Sequence, residues 1–207
     1  IEGYTVLFEA SKDQRVGDRL RFLLDITRDK IFDSVNNKLL VFFDVNLNVI
    51  GDIYSYGHDI EATWLIDRAC ETLGEKDRIA EWQKINLRIA EKIYNVALEN
   101  GAVNNERENT TISRKRVWWV QAESVVGFIN AYQHCGDKKY LDAACTVWKW
   151  IRDVQIDKRE GGEWWAEVDF SGKPMTDFTM VNEWKCPYHN GRMCMEIINR
   201  AVDGETV

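Results

Sequence analysis

One turn recurs in this chain at a fixed interval. Leu73-Gly74-Glu75 and Cys135-Gly136-Asp137, 62 residues apart, each separate two stretches of helical periodicity. Before the first turn, residues 57–73 carry Ile60, Trp64, Leu65, Ala69 and Leu73 at helical spacing, and residues 77–99 follow it. Around the second turn lie 118–134 and 138–156. A glycine just past the last periodic residue supplies the left-handed conformation that ends a helix. Residues 12–33, with Val16, Leu20, Leu23, Leu24, Thr27 and Ile31 on one side, and residues 188–202 extend the series. Longer loops precede His58, Trp118 and Tyr188, at intervals of about 60–70 residues. A helix pair of this period cannot bury its apolar face alone, so the pairs stack into an α-solenoid or close into an α/α toroid. In a toroid the loops at one end gather around the axis, and residues distant in sequence meet at one mouth. Two stretches interrupt the helices: Lys38–Asp44 (KLLVFFD) with Val45–Asp52 (VNLNVIGD), and Glu160–Phe170 (EGGEWWAEVDF), both read as short β-hairpin insertions. The opening Ile1–Phe8 begins in mid-pattern, which reads as a chain cut inside a helix.

The charge balance narrows the partners. A net charge of −7 and a pI near 5.1, with the basic residues dispersed among acids, argue against nucleic acid and anionic membrane. No apolar run approaches the ~20 residues of a membrane span. The five cysteines (70, 135, 145, 186 and 194) lack CxxC spacing and read as reduced, mostly buried thiols of a cytoplasmic protein. Nine tryptophans exceed ordinary use and suit either a large core or a cleft that stacks against sugars.

Three helix starts carry the chemistry. In Tyr56-Gly57-His58-Asp59-Ile60-Glu61, His58 and Glu61 are three apart and share a face, so the carboxylate can orient the imidazole for general acid/base work. Cys186-Pro187-Tyr188-His189-Asn190-Gly191-Arg192 holds a second histidine, with an arginine placed to bind a substrate oxygen. Trp118-Trp119-Val120-Gln121-Ala122-Glu123 puts Trp119 and Glu123 on one face, an aromatic platform beside a carboxylate, and consigns one of the two tryptophans to the core. His134, before Cys135-Gly136, reads as structural, its charge complementing a helix C-terminus. With three unclustered histidines, no metal site is expected.

Longer strings bring in a resemblance. YSYGHDIEATWLIDRAC, NNER, RVWWVQAESVVGFINAYQHCGD, DKREGGEWWAEV and WKCPYHNGRMCMEI together resemble the bacterial cellobiose 2-epimerases of the N-acylglucosamine 2-epimerase superfamily, almost end to end. IEGYTVLFEA resembles that family's IEAYT segment. The resemblance implies an all-α fold, the C-terminal portion of an (α/α)6 barrel, with residues 1–207 as the C-terminal half of one domain truncated at its N-terminus. It implies epimerisation at C2 of the reducing-end glucose of a β-1,4-linked disaccharide such as cellobiose or lactose, through a cis-enediolate and without a cofactor. His58 and His189 would be the acid/base pair with Glu61 supporting His58, and Trp119, Glu123 and Trp184 the sugar contacts. Arg192 lies in the motif as a further substrate contact. A family histidine two residues before Ile1, and an arginine and a tyrosine from the other half, fall outside this chain. The exposed seams of half a toroid imply self-association or pairing with a complementary half. Mannobiose and N-acylglucosamine 2-epimerases, an aldose–ketose isomerase, an inverting glycosidase and a non-catalytic carbohydrate-binding fragment are the competing readings.

Overall fold

The computed structural model describes residues 1–202. Among these, helices α1 (Glu2–Ser11), α2 (Gln14–Ile26), α3 (Tyr56–Leu73), α4 (Lys76–Val96), α5 (Trp118–Cys135), α6 (Lys138–Trp150) and α7 (Tyr188–Val202) form two layers. The odd-numbered helices stand side by side, α1 against α3, α3 against α5 and α5 against α7, while α2, α4 and α6 cover them from outside. The expected turns are there. Gly74 (φ 71°) and Gly136 (φ 69°) are left-handed caps, and the acid after the second, Asp137, accepts from the Lys139 N–H at 3.0 Å and starts α6.

The order of hydrophobicity along the helices explains the layering. The α5 helix is buried on nearly every side, from Val120 through Ala131, and so occupies the centre of the arc. The α2 and α6 helices bury one stripe only, Leu20 with Leu24 and Ala143, Ala144 with Val147, and so stay outside. Where α3 meets α5, Gly127 lies against the Ile60 backbone, and a methyl there would come within 2.7 Å of the Ile60 carbonyl oxygen. That contact brings the start of α3 close against the middle of α5.

The first insertion departs from expectation. Residues 38–52 form no full hairpin: Phe32–Asp33 pairs with Lys38–Leu39, and a single bridge joins Phe43 to Val49. Asp44 explains this, because its carboxylate takes the N–H groups of Asn46 and Asn48 and closes a local loop in place of a ladder. Ile53–Ser55 pairs instead with Glu106–Glu108, which continues to Thr111–Ser113. A hairpin that the helical reading of 77–99 ran over occurs at Leu98–Glu99 and Ala102–Val103, turned by Asn100 (φ 52°) and Gly101 (φ 83°). The second insertion packs Glu167–Val168 against Arg116–Val117, at the threshold of α5.

The cysteines also differ from expectation. Cys70 is buried, but Cys135, Cys145 and Cys194 are exposed, and all five are free. Cys145 and Cys194 line an apolar groove of about 370 Å³ between α6 and α7, with Trp148, Met193 and Ile197. No helix among the described residues is long and apolar enough to cross a membrane.

Candidate active site

The first turns of α3, α5 and α7 open at the same end of the arc, and six of the seven singled-out side chains meet there. Trp119 is the centre. Its ring lies 4.8 Å from that of His58 and 5.5 Å from that of His189. Adjacent Trp118 turns into the core, as the 100° step of a helix requires. Gly57 makes room for this arrangement, since a Cβ there would come within 2.5 Å of the Trp119 ring.

The two imidazoles are held by different groups. At His58, Nδ1 meets Ser55 Oγ at 2.7 Å. His58 is exposed along one edge and crowded along the other, and that crowding, with His189 nearby, lowers its pKa below the ordinary value. His189 is 6% exposed, and its Nδ1 donates to Glu123 Oε1 at 2.7 Å. Tyr188 covers it with ring centroids 3.8 Å apart. Among the described residues neither Nε2 has a protein hydrogen-bond partner, so each ring presents that nitrogen as its exchange point.

Beneath the histidines lies a charge cluster. Arg192 donates to Glu123 at 2.7 Å, to Glu2 at 2.5 Å and to Glu61, and its guanidinium sits 5.0 Å over the Trp64 ring. Its carboxylate partners hold it charged even more firmly than usual, against the cost of burial. Burial, then Glu123, pushes the Glu61 carboxyl above its ordinary value, with Arg192 pulling the other way. Glu61, Glu123 and His189 each offer one ligand atom within 4.8 Å of the others, the one group among the described residues that could hold a metal ion. Arg192 already neutralises the same oxygens.

Three expected roles change. Glu61 does not support His58: it turns to Arg192 and lies 3.9 Å from His189 Nδ1, leaving Ser55 as the partner of His58. Glu123 is 1% exposed, with Oε1 accepting from His189 and Arg192 and Oε2 from Trp64 Nε1 at 3.0 Å, so it orients His189 from a position closed to solvent. Arg192 is likewise tied up by carboxylates and acts as a hub. Trp184 stays apart, 77% exposed on the loop that precedes α7. Sequence reasoning passed over Ser55 and read Trp64 only as part of an apolar stripe, although each lies three residues from a residue singled out for the site.

A model of the N-acylglucosamine 2-epimerase family (GlcNAc 2-epimerase) matches residues 1–189. The chain belongs to that family. It is 55% identical over 203 residues to the cellobiose 2-epimerase of Ruminococcus albus, covering 98% of this chain and 52% of that protein. To the cellobiose 2-epimerase of Dictyoglomus turgidum it is 47% identical, covering 97% and 51%. Among solved structures, a sugar epimerase from a ruminal bacterium superposes with a TM-score of 0.96 at 55% identity, covering 98% of this chain and 52% of the other. The cellobiose 2-epimerase of Bacillus thermoamylovorans gives 0.92 at 42%, covering 96% and 51%. The chain thus spans about half the length of the curated relatives it matches, and its helix pairs form part of the (α/α)6 barrel that these structures share.

Proposed function

We propose that this site serves a carbohydrate 2-epimerase that interconverts glucose and mannose at the reducing end of a β-1,4-linked disaccharide, cellobiose being the first candidate. The observation that carries the reading is the pair of imidazoles flanking Trp119, each anchored at Nδ1 and open at Nε2. Inversion at a carbon beside a carbonyl needs two such groups. In the open-chain sugar, one Nε2 takes the C2 proton, and the C–H electron pair becomes the C1–C2 double bond of a cis-enediolate as the C1 oxygen takes up the negative charge. The other ring, protonated, returns a proton to the opposite face of C2 and the carbonyl re-forms. Substrate and product stand at one oxidation level, so the step needs no electron carrier. The N-terminal ends of α3, α5 and α7 direct their positive dipole ends toward the mouth, which favours the enediolate.

The names of the relatives support cellobiose as substrate, and the aromatic centre suits stacking on a sugar face. An inverting glycosidase needs two carboxyls about 6.5–9.5 Å apart with water between them. Glu61 and Glu123 instead share one nitrogen of Arg192, which speaks against that reaction.

Incubation of the protein with cellobiose in D2O tests the reading. Deuterium at C2 together with the mannose-ended epimer is expected. Free glucose would indicate a glycosidase, deuterium at C1 with a ketose an isomerase, and unlabelled cellobiose would refute catalysis at this site.

A further inference from the structure

The loop that carries Trp184 is fastened at one point. Glu163, on the second insertion, uses both carboxylate oxygens: one accepts from Lys185 Nζ and the other from Asn190 Nδ2. These bonds join the insertion, the loop preceding α7 and the first turn of α7. Lys185 is only 1% exposed, and its ammonium lies 5.7 Å from the Trp118 ring. Among the described residues no other carboxylate reaches that ammonium. Removing the one counter-ion of a buried ammonium is strongly destabilising, so Glu163 is a fastening on which this loop depends. The bonded residues flank the chemistry. Lys185 follows Trp184, and Asn190 follows His189, whose ring meets Trp118 edge-on at 6.3 Å. The loop also holds itself in shape, with Asn182 Oδ1 accepting from the N–H groups of Trp184 and Lys185 at 2.9 and 2.8 Å, so pulling on Lys185 moves the indole with it.

We infer that Glu163 is a positioning residue for the proposed epimerisation, which sets Trp184 through Lys185 and His189 through Asn190. This rests on the epimerase reading for its kinetic consequences, but not for its structural one. The two tethers separate by substitution. In Glu163→Gln the amide oxygen still accepts from Asn190, while the charge facing Lys185 is gone. In Glu163→Ala both tethers are lost. A second substitution, Lys185→Met, removes the stranded ammonium.

The experiment measures amide hydrogen exchange over residues 176–187 together with kcat and KM on cellobiose. Glu163→Gln is expected to speed exchange in that loop and to raise KM with kcat nearly kept. Glu163→Ala is expected to lower kcat as well, about 100-fold for a displacement of His189 near 1 Å. Lys185→Met added to Glu163→Gln is expected to restore slow exchange and the KM. Loss of folded protein without this split between KM and kcat would mean ordinary destabilisation and would overturn the proposal. So would unchanged exchange and kinetics in a folded Glu163→Gln. Should Glu163→Ala fail to fold, Glu163→Gln and the double variant still decide. If the unsubstituted protein exchanges no C2 proton, the epimerase reading fails, while exchange over 176–187 continues to test the tether.

Discussion

His58 meets a serine hydroxyl at Nδ1, whereas His189 meets a buried carboxylate. A hydroxyl both donates and accepts, so Ser55 can follow the His58 ring through either protonation state by rotating. A carboxylate only accepts, so Glu123 keeps the hydrogen on Nδ1 of His189 in both states and confines its exchange to Nε2. The surroundings differ in the same sense: His58 has an exposed edge, and His189 lies beneath Tyr188 and against Trp118. Two rings that leave the same nitrogen free of protein partners are thus held by opposite means, one by an adaptable partner and one by a fixed one. A reversible epimerisation requires each ring to serve as base in one direction and acid in the other, and both arrangements permit that.

Removing either ring is the most severe way to probe this contrast. His58→Ala and His189→Ala are each expected to cut C2 exchange in D2O by on the order of 10²–10⁴-fold, the range for loss of a general acid or base. If one variant keeps a near-normal rate while the other is dead, a single base works on both faces and the pairing is wrong. The pH profile refines the test. Crowding, then His189, lowers the His58 pKa, so base activity by that ring is lost only as pH falls below the ordinary 6.5.

Changing the partners instead of the rings sharpens the comparison. Glu123→Gln can present its amide N–H to His189 Nδ1 and so favour the wrong tautomer, with a loss of about 100-fold or more in kcat. Ser55→Ala removes one neutral hydrogen bond, about 1 kcal/mol, and is expected to cost no more than about tenfold. Measured kcat values for the two variants check the order. Equal losses would mean that the difference between carboxylate and hydroxyl has no kinetic weight.

The folding plan was written in local patterns, which is why it could be read. Helix periods and the two glycine turns at 74 and 136 are decided within a few residues, and they place α3, α4 and α5 within a few residues of their bounds. The stretch read as 138–156 passes from α-helix at Trp150 into a π-helical turn at Ile151–Gln155. The break between the opening segment and the stretch from residue 12 falls where the structure has it, at Lys12 in a left-handed conformation (φ 51°), although a lysine does not advertise that conformation. The site was legible as far as membership, since each helix start carried its chemistry in one short string. Partner choice was not. Glu61 stands correctly placed for His58 in sequence, and its direction is decided by Arg192, a residue that reaches it only through tertiary packing. The bond from Trp64, read only as a buried face residue, and the tethers of Glu163 went unread for the same reason, their partners lying on other elements.

The starts of α3 and α7 are also anchored by different acids, and this difference is open to a stability measurement. Glu163 holds the first turn of α7 by accepting from Asn190 Nδ2 and the loop before it through an ion pair with Lys185, while Asp59 holds α3 by accepting the Leu39 N–H at 3.1 Å from within the core. Burial raises the Asp59 carboxyl well above its ordinary value of 3.8, only partly offset by the Leu39 N–H, Tyr54 and Lys38. A carboxyl whose folded pKa is raised stabilises the fold fully below its unfolded pKa and loses that contribution as pH rises toward the folded value. Asp59→Asn cannot titrate. Its denaturation midpoint relative to the unsubstituted protein is therefore expected to improve steadily as pH rises from about 4. Asp59→Ala, which leaves the buried Leu39 N–H unpaired, is expected to cost about 1–3 kcal/mol at every pH. A flat difference between Asp59→Asn and the original would mean that Asp59 is ionised in the fold.

The smallest effect belongs to Trp184, the singled-out residue that stands outside the cluster. Its indole is 77% exposed and touches neither histidine ring, so nothing in proton transfer depends on it. On the proposed reading, its flat exposed face would serve the part of a disaccharide that does not react. Binding lost equally from ground and transition states appears in KM alone. Trp184→Ala is accordingly expected to raise KM by about two- to fivefold, the value of a partial aromatic contact, with kcat unchanged. A glucose monosaccharide, which lacks the second ring, should show no such change. A fall in kcat on both substrates would bring Trp184 into contact with the reacting sugar and give the α7 side of the site a further hold on the chemistry.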